Sequence, residues 1–283
     1  MHDKIAGAAG VLLTLTALTG CGSGSTNETT AQSDCTPAHS GLKTVTPGSL
    51  TAATFNFPPF LVVDGTEVSG VEGEVLDKIA AMECLTLVSQ PLDTGSVIPA
   101  TQNGRTDVSA GNWYCTAARA KVVSLAGPVI GDQIVLVSKD GAATFDALQG
   151  RSVGTVDGYM WNDELAKLYG ADLKVYPNPA GVYGDLTAGR LDAAVDSIGT
   201  ASYAKEQNSA DWSIQRPAPD PRVASSEAPG QVCFPVSTSN SGLFRAISED
   251  IVALRRDGTI ARILTDNGLD PSAADPGPLN LIG

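Results

Sequence analysis

The segment GNWYCTAAR, residues 111–119, holds two adjacent aromatic side chains, a cysteine and an arginine. The chain has 18 lysines and arginines against 31 acidic residues, so a positive charge in a cleft would be scarce. A planar guanidinium forms two parallel charge-assisted hydrogen bonds with a carboxylate, which an ammonium cannot do. A guanidinium in a cleft would suit such an anion, whereas an exposed arginine on a helix surface is the ordinary interpretation of Arg119.

The composition limits the classes of protein to which the chain can belong, before any secondary structure is assigned. A length of 283 residues predicts about two compact units, and 42% hydrophobic residues suffice for a real core. The net charge of −13 argues against nucleic acid or acidic lipid as a partner. No CxxC pair occurs and the only histidines are His2 and His39, so neither a metal nor a cofactor is expected.

The N-terminus is typical of an exported lipoprotein. MHDK is followed by the apolar run IAGAAGVLLTLTA and by LTGC, which resembles the bacterial lipobox and ends at Cys21. Residues 1–20 are predicted to be the signal peptide, Cys21 the acylated (palmitate-bearing) residue, and residues 21–41 a flexible tether. The predicted location is the outer face of the bacterial cell membrane, with the lipid as the only membrane contact. The alternative is an ordinary secretory signal with a chance cysteine.

Four further cysteines remain in a chain that is predicted to be exported. They are Cys35, Cys84, Cys115 and Cys233. Disulfides are expected in that compartment, and the sequence alone permits three connectivities.

Two segments look like copies of one design, and both contain the pattern Gly-Arg-x-Asp. They are residues 97–111 and 182–196. Gly104 and Gly189 suit helix C-termini, whereas Asp107 and Asp192 suit structural turn positions. With the elements before them, the order strand, loop, helix, strand, helix, GRxD and strand occurs twice.

That repeated order predicts an α/β protein with two lobes, each a mainly parallel sheet flanked by helices. Ligands of such sheets bind at the carboxyl ends of the strands. The candidate site is thus built from the loops that follow Phe55, Ala110, Val156 and Val195. The C-terminal run 243–269 is predicted to be an amphipathic helix with a glycine break.

Several stretches, in order, resemble one known family. They are FPPFLVVDGTEVSGVEGEVLDKIA, GRTD, TAARAKVVSLAGPV, LQGRSVGTVDGY, AGRLDAAV and LRRDGTIARIL. The chain resembles the extracellular solute-binding proteins of family 3, the periplasmic amino-acid-binding proteins of ABC transporters. The resemblance implies a type II periplasmic-binding-protein fold with two hinge crossings. Lobe I would contain residues 42–128 and 228–283, lobe II residues 134–222, and the crossings would lie near 127–136 and 218–232.

The resemblance also implies roles for individual residues. Arg119, with Thr116, would bind a ligand carboxylate, while Asn112, Trp113 and Tyr114 would line the cleft. Phe57 would stack on the ligand, and Phe60 is expected in the core instead. In the second lobe, Gly158, Tyr159 and Met160 match a loop at a helix N-terminus, where backbone amides receive anions. Trp161 is either lid or core.

The chain departs from the family where relatives hold the ammonium of an α-amino acid. The two acidic positions align with Thr54 and Ser197, and Asp196 is one residue early, which would turn its side chain to the other face unless a bulge restores it. An ammonium buried without a counter-charge is costly. The hypothesis is a ligand that lacks a free α-amine, or one whose amine is met by Asp157 or Glu72.

The resemblance implies the disulfides Cys35–Cys84 and Cys115–Cys233. It further implies a non-enzymatic, monomeric binding protein that delivers a small carboxylate-bearing solute to an ABC permease and its ATPase. Two alternatives stay open. One is a sensor or receptor that binds the ligand without passing it on. The other is an enzyme similar to the cyclohexadienyl dehydratases, which would need a general acid or base in the cleft.

Overall fold

Two five-stranded sheets form the framework of the protein. The computed structural model describes residues 35–282, so the predicted signal peptide, Cys21 and most of the predicted tether lie outside the described residues. The strands are β1 (Ser49–Thr54), β2 (Val62–Asp64), β3 (Glu67–Ser69), β4 (Thr86–Pro91), β5 (Val108–Ser109), β6 (Ser124–Ala126), β7 (Gly131–Asp132), β8 (Ile134–Ser138), β9 (Val153–Val156), β10 (Leu173–Tyr176), β11 (Ala193–Ser197), β12 (Ser213–Gln215), β13 (Gly230–Gln231) and β14 (Phe234–Val236). The helices are α1 (Gly70–Met82), α2 (Thr94–Gln102), α3 (Ala117–Ala120), α4 (Asn162–Tyr169), α5 (Pro179–Thr187), α6 (Ile198–Gln207), α7 (Ser241–Arg256) and α8 (Thr259–Asp266).

The two sheets share one topology. Lobe I is built on the order β4-β1-β5-β14-β6, and lobe II on β10-β9-β11-β8-β12. In each sheet one strand alone runs against the others: β14 is antiparallel to β5 and β6, and β8 is antiparallel to β11 and β12. The predicted α/β architecture with two mainly parallel sheets is therefore confirmed. The reversed strands are those that follow the two crossings between the lobes.

The GRxD turns hold equivalent positions in the two lobes. The Asp107 carboxylate accepts hydrogen bonds from the backbone amides of Val45 and Thr51, both at 2.8 Å. The Asp192 carboxylate accepts from the amide and hydroxyl of Ser152, both at 2.9 Å. Each aspartate thus fastens its turn to the start of the first parallel strand of its lobe, as the predicted structural role requires.

Helices cover both sheets, and the main cluster of buried side chains continues from lobe I into lobe II. In lobe I, α1, α7 and α8 pack together, and the predicted break between the last two helices is Gly258, which adopts a φ of 79°. Phe60 is 1% exposed, which confirms its expected core position. In lobe II, α5 and α6 pack on β11 around the buried Trp212. No helix in residues 35–282 is long and apolar enough to cross a membrane.

We expect Asp107→Ala to lower the free energy of unfolding by about 1–3 kcal/mol, because it leaves two backbone donors without their acceptor. Asp192→Ala should cost less, because Asp192 is exposed and water can replace it. Urea unfolding of both variants measures the difference, with the exposed Asp211→Ala as the control. Equal losses for Asp107→Ala and Asp211→Ala would contradict this role for the turn.

Candidate functional site

A cavity of about 270 Å³ lies between the strand ends of the two lobes. Nine predicted ligand-binding residues line it: Phe57, Asn112, Trp113, Tyr114, Arg119, Gly158, Tyr159, Met160 and Ser197. Thr116 and Asp196 do not. The other lining residues are Phe55, Asn56, Leu92, Asp93, Thr94, Gly111, Val156, Asp157, Trp161, Pro177, Asn178 and Pro179. The site is therefore built from the strand-end loops that the sequence indicates, together with the N-termini of α2 and α5.

Arg119 is the positive charge of this cavity. Thr116 accepts a hydrogen bond from the Arg119 amide (3.1 Å) and so caps the short helix α3. The guanidinium donates through Nη1 to the Tyr114 carbonyl (2.7 Å) and lies 5.0 Å from the Trp113 ring centroid. Desolvation lowers the pKa of Arg119 to about 10, so it stays charged at neutral pH, and no described carboxylate forms an ion pair with it. The remaining guanidinium donors can receive an anion.

Aromatic rings from both lobes form the walls. Phe57 of lobe I meets Tyr159 of lobe II edge to face, with centroids 6.3 Å apart. Trp161 packs 4.9 Å from Tyr159 and donates to Thr155, so it is a core residue that also lines the cavity. The indole nitrogen of Trp113 is buried and has no hydrogen-bond partner. The cavity therefore suits a largely apolar ligand body with a polar acceptor.

Gly111 lies close beneath the Phe55 ring and also bonds to Glu72. Its φ is +135°, and a Cβ there would lie 2.1 Å from Cε1 of Phe55. Its amide donates to Glu72 Oε2 (3.0 Å), as does the amide of Asn112 (2.5 Å). Only glycine allows this turn to stay beneath the Phe55 ring while both amides point at the carboxylate.

Asp196 lies behind the cavity wall and does not enter it. Its carboxylate accepts hydrogen bonds from the hydroxyls of Tyr159 (2.8 Å) and Tyr183 (2.9 Å) and from the Ser197 amide (2.7 Å). Burial raises the pKa of Asp196 to about 7. Ser197 faces the cavity but caps α6, and Thr54 is buried against Ser89. Neither aligned position thus carries an acid into the cavity.

Asp132 is a buried acid that the sequence analysis did not select. It lies in the first crossing, where its carboxylate accepts from Asn112 Nδ2 (2.7 Å) and the Gln133 amide (2.9 Å). Burial raises its pKa, and it also lies close to the cavity-lining Tyr114. A charged residue within the apolar run GPVIGDQIVLV was the available signal. The sequence analysis assigns this run to a crossing between the lobes and does not include Asp132 among the site residues.

Two exposed carboxylates do line the cavity, one from each lobe. They belong to Asp93, which precedes α2, and Asp157, which follows β9. Asp157 accepts from the amide of Gly158 (3.0 Å), so that amide is already hydrogen-bonded. These acids can attract a cationic group of a ligand to the exposed part of the lining.

A disulfide fixes the loop that carries Arg119. Cys115 and Cys233 are bonded, with their Cα atoms 5.4 Å apart, which joins this loop to the strand that returns through the second crossing. Cys35 and Cys84 are likewise disulfide-bonded. The bond beside α3 limits the positions that the Arg119 loop can adopt.

The C-terminal tail holds the same loop from the other side. Ile282 donates to the Cys115 carbonyl (3.1 Å) and accepts from the Ala117 amide (3.0 Å). The Gln231 side chain donates to the carbonyls of Pro276 and Pro278, both at 2.7 Å, and accepts from the Asn280 amide. The tail therefore pairs with the Arg119 loop through an isolated parallel bridge between Thr116 and Ile282, an arrangement that sequence reasoning did not anticipate.

This fold defines a two-lobed protein with a cavity between its lobes. The sequence profile of the bacterial extracellular solute-binding proteins, family 3, matches residues 50–268, and the chain belongs to that family. The described tail beyond residue 268 lies outside the matched region. The fold is that of the type II periplasmic binding proteins, as expected.

Similar proteins differ in what they bind. The lysine/arginine/ornithine-binding periplasmic protein of Escherichia coli (strain K12) is 24% identical over 195 residues, covering 66% of this chain and 73% of the relative. An ancestral arginine-binding protein bound to arginine is 25% identical with a TM-score of 0.66, covering 77% and 97%. A histidine kinase sensor domain similar to periplasmic binding proteins is 23% identical with a TM-score of 0.66, covering 78% and 95%.

We expect the stability of the protein to fall as pH rises from about 4.5 to about 8. Burial raises the pKa of Glu72 from 4.5 to about 8, so in this range the folded state keeps a proton that the unfolded state has released. Asp196 acts in the same direction. Glu72→Gln keeps an acceptor for the two amides and should flatten the dependence of the melting temperature on pH. The exposed Glu67→Gln is the control, and an unchanged slope in Glu72→Gln would refute the assignment.

We also expect Gln231→Ala to loosen the tail from the Arg119 loop, because it removes three hydrogen bonds. Hydrogen exchange of the Ala117 amide, which Ile282 protects, should accelerate roughly fivefold or more, given about 1 kcal/mol per net hydrogen bond. Gln149→Ala, which removes one exposed side-chain bond in lobe II, is the control. Unchanged exchange at Ala117 would mean that the tail holds without Gln231.

Proposed function

We propose that this protein binds a small carboxylate-bearing solute between its lobes and delivers it to an ABC importer. The observation that carries the proposal is Arg119, a desolvated guanidinium that faces the cavity without an acidic partner. An anion with two parallel oxygens matches its free donors. The relatives that are named as amino-acid-binding proteins support the carboxylate as the recognised group.

We further propose that the ligand has an apolar or aromatic body and no α-ammonium buried beside its carboxylate. The walls are aromatic, and neither position aligned with the ammonium-binding acids presents a carboxylate to the cavity. The acids that line it, Asp93 and Asp157, are exposed. An amine, where the ligand has one, would therefore lie toward the mouth.

The cellular setting belongs to the same proposal. The lipobox-like LTGC supports a lipid on Cys21 and a location on the outer face of the cell membrane. The protein would act as a monomer, close by a hinge motion on the ligand and then meet the permease and ATPase. No catalytic step is proposed: the acids that line the cavity, Asp93 and Asp157, are exposed, and the buried acids Glu72 and Asp196 do not line it.

A sensor is the second candidate function. The likeness to a histidine kinase sensor domain shows that this fold also occurs in a signalling protein. Ligand binding and closure would be the same in both roles. Ligand-dependent uptake that requires a partner permease would support transport, whereas binding without uptake would favour the sensor.

The test compares paired ligands by isothermal titration calorimetry. Each pair is a free amino acid and its keto, hydroxy or N-acetyl analogue, such as phenylalanine with phenylpyruvate, phenyllactate and N-acetylphenylalanine. We expect the acids without a free amine to bind more tightly. In Arg119→Ala the Kd should rise by about 100-fold or more, since hydrogen bonds to charged groups contribute about 1.5–3 kcal/mol each.

Two controls separate the outcomes. Arg216→Ala removes an exposed arginine of lobe II and should bind as the unmodified protein does. Tight binding of a free α-amino acid that Asp93→Asn or Asp157→Asn weakens would overturn the prediction about the amine but keep the carboxylate site. Carboxylate binding that is indifferent to Arg119→Ala would contradict the site itself.

A further inference from the structure

A second cluster of ionisable side chains lies in lobe I, and none of its members lines the cavity. It contains His39, Glu83 and Asp250, whose candidate ligand atoms all lie within 4.8 Å of one another. His39 Nδ1 is 2.5 Å from Glu83 Oε1 and 3.9 Å from Asp250 Oδ1. The residues come from the segment before β1, the end of α1 and the middle of α7. The fold thus brings together three groups that are distant in sequence.

The cluster carries more negative charge than its own residues neutralise. Glu83 and Asp250 are only 5% and 1% exposed, and Glu249 adds a third carboxylate at 3.0 Å from His39 Nε2. His39 is the one basic group that forms an ion pair with these acids in residues 35–282. Asp250 Oδ2 is buried and has no hydrogen-bond partner. Buried carboxylates without a counter-charge are costly, so a further cation is favoured here.

The helix geometry adds to this imbalance. Glu83 is the C-cap of α1, where the aligned peptide dipoles place partial negative charge, and the last turn of α1 contains no basic residue. The backbone amides of Ala38 and His39 donate to the Met82 carbonyl and to Glu83 Oε2. Two amides therefore cover this helix end, and neither supplies a full positive charge.

We propose that His39, Glu83 and Asp250 bind a divalent transition-metal cation, with Zn²⁺ as the best match to the donors. One imidazole nitrogen and two carboxylates form a three-ligand set that Zn²⁺ accepts, whereas Mg²⁺ and Ca²⁺ prefer oxygen ligands alone. Glu249 would hold the other ring nitrogen of His39, as carboxylates commonly do behind a metal-bound histidine. The His39 side chain is 27% exposed, so water can take the fourth position.

Such a metal would join residues 38–40 to α7. This segment is the end of the predicted tether, ahead of the first strand, so the cation would fix the entry of the chain into lobe I. The sequence analysis expected no metal, since no ligand spacing is local. The site is independent of the proposed ligand cavity.

The test uses the purified protein after treatment with a chelator. ZnCl₂ titrated by calorimetry should bind with one equivalent and raise the melting temperature, whereas MgCl₂ at the same concentration should do neither. The imidazole resonances of His39, assigned by their loss in His39→Ala, should shift as Zn²⁺ is added. No saturable Zn²⁺ binding, or binding that leaves the His39 resonances unchanged, would overturn the proposal.

Variants identify the ligands. Asp250→Asn and His39→Ala should abolish the one-equivalent binding, and the exposed Glu249→Gln should weaken it by about 10–100-fold. Glu206→Gln, an exposed acid in lobe II, should leave it unchanged. If Asp250→Asn does not fold, Glu249→Gln still tests the proposal, because the exposed Glu249 does not pack in the core. Weaker Zn²⁺ binding in this variant therefore indicates a metal site and not a packing defect. Equal Zn²⁺ affinity in Glu249→Gln, His39→Ala and the unmodified protein would refute the proposal.

Discussion

The site depends on a partly desolvated guanidinium that forms no ion pair with the described carboxylates. A cation without a counter-ion in an apolar cavity is unfavourable, and the lowered pKa of Arg119 reflects that cost. The structure offsets part of it locally, since the Tyr114 carbonyl and the Trp113 ring face the guanidinium. A bound carboxylate would offset the rest.

The acids are arranged so that none neutralises this arginine. Glu72 is occupied by the amides of Gly111 and Asn112, Asp132 by Asn112, and Asp196 by two tyrosines. All three lie behind the wall, and burial favours their protonated forms. Because the pKa values of Glu72 and Asp196 lie near 8 and 7, the potential behind the wall becomes more negative above neutral pH.

The sequence predicted the structure best at positions where the residue type has a single structural role. The two GRxD copies predicted the paired lobes, because an aspartate after a left-handed glycine fastens a turn in both. The strand-end rule indicated the loops of the cavity, and the resemblance to the family supplied Arg119 and most of the wall residues. The sequence left open which way the Asp196 side chain points, because the direction depends on which face of β11 packs against α5. The sequence also did not predict the roles of Asp132, the C-terminal tail and the His39 cluster. Their partners are tens or hundreds of residues away, and no local pattern records such contacts.

Both ends of the described chain are held by the same lobe. Residues 38 and 39 bond to the end of α1, and Ile282 pairs with the segment before α3, so lobe II has no chain terminus of its own. Within the described residues, the two crossings are the only backbone connections between lobe II and lobe I. A force applied at the N-terminus would therefore act on lobe I and would not be transmitted through the crossings.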